Sequence, residues 1–117
     1  MAKISADITE SFLSEVSELL ESSRRDVIAL KAPPSEGGDQ AATLARLLRN
    51  LHTIKGNSRM LGYGTIEKLS HAVEDIYKSV KDGTVKNSDR LVRLVFLVAD
   101  KIAECIVRIK KTGADDL

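Results

Sequence analysis

LVRLVFLVADKIAECIVRI, residues 91–109, is the stretch on which the fold turns. Its first half is rich in β-branched residues and would serve as a strand in isolation. Yet Leu91, Leu94, Val95, Val98, Ile102, Ile106 and Ile109 continue past that half at helical spacing. A strand does not sustain that period over such a length, so the segment is predicted to be one amphipathic helix. Asn87 or Ser88 supplies its cap, and the helix is expected over about residues 88–111.

Working back from there, TIEKLSHAVEDIYKSVKDG places Ile66, Leu69, Val73, Ile76 and Val80 at intervals of three and four. This predicts a helix over about 65–82, with Gly83 as its stop. A helix over about 39–60 begins near Asp39 and aligns Leu44, Leu47, Leu48, Leu51 and Ile54, weakening where MLGYG brings two glycines. The remaining helix, over about 7–31, carries Ile8, Phe12, Val16, Leu19, Leu20, Val27 and Leu30. Asp7 is its expected N-cap, with Glu10 completing a capping box, and Pro33 and Pro34 stop it ahead of the loop APPSEGGD.

Four amphipathic helices with short connections cannot bury their apolar stripes separately. An all-α, antiparallel up-and-down four-helix bundle is the expected architecture. The length of 117 residues fits one domain. Net charge is only +1, from 18 basic and 17 acidic residues, which leaves no electrostatic footprint for nucleic acid. Aromatic residues make up 3% of the chain, too few to stack bases. No apolar run approaches the ~18 residues of a membrane span, and the first ten residues lack a signal-peptide core, so a cytoplasmic, membrane-free protein is expected. Cys105 is the single cysteine and falls in an apolar stretch, which makes it a small core residue.

The chemistry-bearing residues cluster on the second and third helices. At ~100° per residue, His52 lies about a quarter turn from the centre of its helix's apolar stripe. It sits on a shoulder, half supported and half open to water. Lys55 is its neighbour one turn on. Gly56 costs about 1 kcal/mol of helix propensity relative to alanine, and uncovering the imidazole is a use for that cost. On the third helix Glu67, His71, Glu74 and Lys78 follow one another at spacings of four, three and four. Packing the two helices together would bring Glu74 or Glu67 to His52. A carboxylate taking the Nδ1 proton leaves Nε2 as the nucleophile, and Lys55 is then placed to neutralise a phosphoryl group on it. A metal site built from His52, His71 and Cys105 is not expected, because the three lie on separate helices. There is no phosphate-cradling loop for ATP. Periodicity alone stops at a bundle with a supported, uncovered histidine, which a helical adaptor would also accommodate.

HTIKGNSRMLGYGTIEKLSHAVEDI, residues 52–76, resembles the histidine phosphotransfer domain, most closely the N-terminal domain of chemotaxis histidine kinases. The shared pattern is His52, Ile54, Lys55-Gly56 and Gly62-Tyr63, followed by the second segment LSHAVED. The resemblance implies that His52 is phosphorylated on Nε2 by a separate ATP-binding kinase domain, which supplies ATP and magnesium, and passes the group to an aspartate of a response-regulator receiver domain. It implies that Glu74 accepts the Nδ1 proton, that Lys55 and His71 line the site, and that Gly56 leaves room for the partner. Asn57 and Arg59 depart from the small residues usual there and are expected on the partner-facing surface. A monomeric module of a longer kinase is the expectation, with a free-standing shuttle as the alternative.

Overall fold

Local capping chemistry sets the helix ends. The computed structural model describes residues 6–31 and 39–116, and in it α1 spans Ala6–Ala29, α2 Gln40–Leu61, α3 Gly64–Lys81 and α4 Asp89–Thr112. The Asp39 carboxylate accepts the Ala42 N–H at the start of α2, and Ser88 Oγ accepts the Leu91 N–H at the start of α4. Of the two cap candidates for α4, Ser88 therefore takes the role. Asn87 instead accepts the buried Tyr77 hydroxyl at 2.7 Å and donates to the Val27 carbonyl at 3.1 Å, joining α3 to α1.

Gly62 and Gly83 adopt φ of 81° and 82°, a left-handed conformation that only glycine takes without strain. Each ends its helix with paired bonds: Gly62 N–H to Arg59 and Tyr63 N–H to Ser58, then Gly83 N–H to Val80 and Thr84 N–H to Ser79. The expected stop at Gly83 holds. Asp7 differs from its expectation. It lies inside the first turn of α1, where its charge complements the helix dipole without capping it. Pro33, Pro34 and the loop residues 32–38 lie outside the described residues.

Among the described residues, each helix packs on the next and α1 packs on α4, while the backbones of the two diagonal pairs stay further apart. This is the expected four-helix bundle. Its core forms two clusters: Phe12, Val16, Ile54, Tyr63, Ile66, Ile102 and Cys105 belong to one, and Val27, Leu47, Leu51, Val73, Tyr77 and Val95 to the other. Cys105 is fully buried, and burial pushes its thiol up to about 11, as befits an inert core residue. Two apolar positions expected in the core are exposed. Ile8 stands in the first turn of α1 beside an open groove shared with Met60, and Leu94, with Val85 and Leu97, lines a groove next to the α3–α4 connection.

Polar ties fix how the helices sit against one another. Arg46 of α2 grips the buried Asp26 of α1 through two bonds, at 2.6 and 3.1 Å. The start of α3 has no cap from its own chain neighbour Tyr63. Instead Asp115, beyond the end of α4, accepts the Ile66 N–H at 2.8 Å. Gly113, at φ of 82°, ends α4 just ahead of it. A buried carboxylate at a helix N-terminus stabilises both the free amide and the dipole.

Candidate functional site

α2 and α3 are antiparallel neighbours, and one register is fixed at two levels. His52 Nδ1 lies 3.0 Å from Glu74 Oε2, and Arg59 Nε lies 3.8 Å from Glu67 Oε2. Seven residues forward on α2 thus match seven residues back on α3. Of the two carboxylates that sequence spacing offered to His52, Glu74 is the one that arrives there.

Glu74 is buried, whereas the His52 side chain is 67% exposed. The other carboxylate oxygen, Oε1, accepts from Lys55 Nζ at 2.7 Å, and Lys78 Nζ stands 3.9 Å from Oε2. Burial acts to raise the Glu74 carboxyl. The hydrogen bonds from Lys55 and His52, with the charges of Lys55 and Lys78, outweigh it and hold the group below the ordinary carboxylate range. An ionised carboxylate only accepts hydrogen bonds, so the His52 proton belongs on Nδ1. In the neutral ring the lone pair then sits on Nε2, at the solvent-facing end of the side chain.

Several sequence-based placements change. Lys55 was expected to face the Nε2 side; its ammonium is instead committed to Glu74, with only 20% of its side chain exposed. At Gly56 a methyl group would not reach the imidazole. A Cβ built there would meet no heavy atom within 4 Å, so the space it leaves belongs to solvent. His71 pairs with Asp75 of its own helix at 3.4 Å, and among the described residues no hydrogen bond or ion pair joins it to His52 or Glu74. Asn57 donates to Glu15 of α1 at 3.3 Å. It lies ~140° round α2 from His52 at ~100° per residue, in the α1–α2 seam. Arg59 is 81% exposed, and α2 continues past it to Leu61, which keeps it on the His52 face two turns on. Lys78 stood in the same row as Glu74 in the sequence without a role. Its i, i+4 spacing was the available signal.

The family model of the Hpt domain matches residues 7–111. The sensor histidine kinase CheAY of Helicobacter pylori is 30% identical over 109 residues, which cover 93% of this chain and 13% of that protein. The chemotaxis protein CheA of Halobacterium salinarum is 32% identical over 111 residues, covering 94% of this chain and 16% of that protein. The chain therefore spans only a small part of the length of these relatives. Among solved structures, the phosphorylated P1 domain of CheA3 in complex with CheY6 from R. sphaeroides superposes with a TM-score of 0.76 at 27% identity, over 92% of this chain and 81% of that one. With its four-helix fold and its exposed histidine held by a buried carboxylate, the chain belongs to the Hpt domain family.

Proposed function

We propose that this chain is the histidine phosphotransfer module of a chemotaxis-type two-component system, with His52 as its phosphoacceptor. The observation that carries the reading is the Nδ1 hydrogen bond to a buried, lysine-paired Glu74, which leaves Nε2 open to solvent. The Nε2 lone pair attacks the γ-phosphorus of ATP held with magnesium on a separate kinase domain. The bond to the bridging oxygen breaks and ADP leaves with its electrons. The ring becomes a phosphoimidazolium whose Nδ1 proton stays on Glu74's hydrogen bond, so no proton has to depart. An aspartate of a receiver domain then attacks the same phosphorus, the N–P bond breaks, and the ring returns to its neutral form.

Glu74 acts here as an orienting acceptor that stabilises the positive ring, and Lys55 keeps that acceptor ionised. A helical adaptor alone gives no reason for a buried carboxylate aimed at an exposed imidazole. Incubation with the cognate kinase domain and labelled ATP, then with the receiver domain, tests the reading. Label should appear first as an acid-labile, base-stable phosphate on His52 and then move to the receiver. Label that never reaches the receiver would contradict it.

Gly56 separates a structural role from a partner-facing one. Nothing in the domain blocks a methyl group there, and φ is not positive, so Gly56→Ala should stabilise the fold by about 0.5–1 kcal/mol. Phosphotransfer should nevertheless slow, because the added side chain lies one turn from His52 on the face a partner must cover. A variant that is both more stable and equally fast in both transfers would remove Gly56 from the partner surface.

A further inference from the structure

We propose that Lys78, rather than Lys55, is the cation that meets the phosphoryl group carried on His52 Nε2. The inference rests on the phosphotransfer reading of the site. Lys55 is already committed, because its ammonium sits 2.7 Å from Glu74 Oε1, and moving it would leave a buried carboxylate short of its strongest partner. Lys78 differs in each respect. At 3.9 Å it is beyond hydrogen-bond distance from Glu74, and its side chain is 56% exposed, so it is held less tightly than Lys55. It approaches Oε2, the same oxygen that takes the His52 Nδ1 proton, and so lies on the imidazole side of the carboxylate.

The helix register supplies the second argument. With Glu74 opposite His52 and Glu67 opposite Arg59, position 78 falls beside the turn of α2 that precedes His52. Gly56 opens the turn that follows. Helical side chains lean toward the N-terminus of their helix, which carries the Lys78 ammonium back toward the level of Glu74 and His52. A phosphoryl group brings a charge of about −1.5 to −2 and strong acceptor oxygens, far more than the shared edge of Glu74 offers. The other exposed cations on α2 are less well placed. Arg59 is seven residues along, a rise of ~10 Å, and faces Glu67. Arg49 and Lys55 fall on opposite flanks of His52 at ~100° per residue, so Arg49 lies on the flank away from α3.

Phosphoramidate supplies a test that needs no partner protein. The Nε2 lone pair forms the new N–P bond, the P–N bond of phosphoramidate breaks, and its nitrogen leaves as ammonia after taking a proton from water. The phosphorylated domain is then titrated by ³¹P NMR as wild type, Lys78→Gln, Lys78→Arg, Arg49→Gln and Arg59→Gln. Loss of the Lys78 charge should move the phosphoryl ionisation up by about 0.5 or more, part of the ~1–3 that an adjacent opposite charge gives in a sheltered site. Lys78→Arg should restore the wild-type curve. A Lys78→Gln curve that overlays wild type, or a shift produced instead by Arg49→Gln or Arg59→Gln, would overturn the inference while leaving the phosphotransfer reading intact. Absence of any phosphohistidine at position 52 would fell both.

Discussion

His52→Gln is expected to reduce kinase-dependent labelling of the domain to background while leaving the bundle folded. The imidazole is the nucleophile that this domain supplies to the proposed chemistry, and glutamine has no nitrogen lone pair to replace Nε2. Its amide can still donate to Glu74 from the same shoulder of α2. Because the side chain is 67% exposed, thermal stability should stay within about 0.5 kcal/mol of wild type. Mapping of the residual label decides the assignment. Persistent phosphate on His71 would overturn it, and the geometry argues against that outcome, since His71 is paired with Asp75 and lacks a buried carboxylate.

Glu74→Ala is expected to slow phosphorylation of His52 by ~10- to 100-fold, the usual consequence of removing the partner that orients a functional histidine. It should also cost about 1–3 kcal/mol of stability, because Lys55 loses the acceptor it reaches across the α2–α3 interface. A rate equal to that of wild type would exclude the orienting role. Acid titration offers an independent check. The folded-state carboxyl of Glu74 is held below its unfolded value of 4.5, so its contribution to stability is complete above that pH. It is lost as the pH falls through the lowered value. The stability gap between wild type and Glu74→Gln should therefore be flat at neutral pH and close in acid below about 4.5.

The bundle was legible because helical periodicity and capping are local. Four apolar stripes, Asp39, Ser88 and Gly83 each act within a few residues of themselves, and the structure places them as their chemistry dictates. The position of His52 on the shoulder of α2 was legible for the same reason. What lies opposite that shoulder was not. Helical phase gives the face on which Glu67, Glu74 and Lys78 stand, but the register between α2 and α3 is set by packing across the interface. This is why spacing left two carboxylates in play and did not show that the Lys55 ammonium bonds Glu74. Asn57 shows the same limit: only the docking of α1 reveals that its amide faces Glu15. Leu94 failed differently. It shares the period of its helix, yet sits where the α3–α4 connection leaves a groove uncovered.

The carboxylate of Asp115 closes a contact with an amide 49 positions earlier in the chain. A bond of that span cannot form while the chain is still collapsing locally; it waits until α4 has docked and turned back at Gly113. The first turn of α3 is thus tied to the segment after α4 as well as to the core around it. Loss of that one carboxylate would leave the Ile66 amide uncapped, two turns upstream of the carboxylate that orients His52.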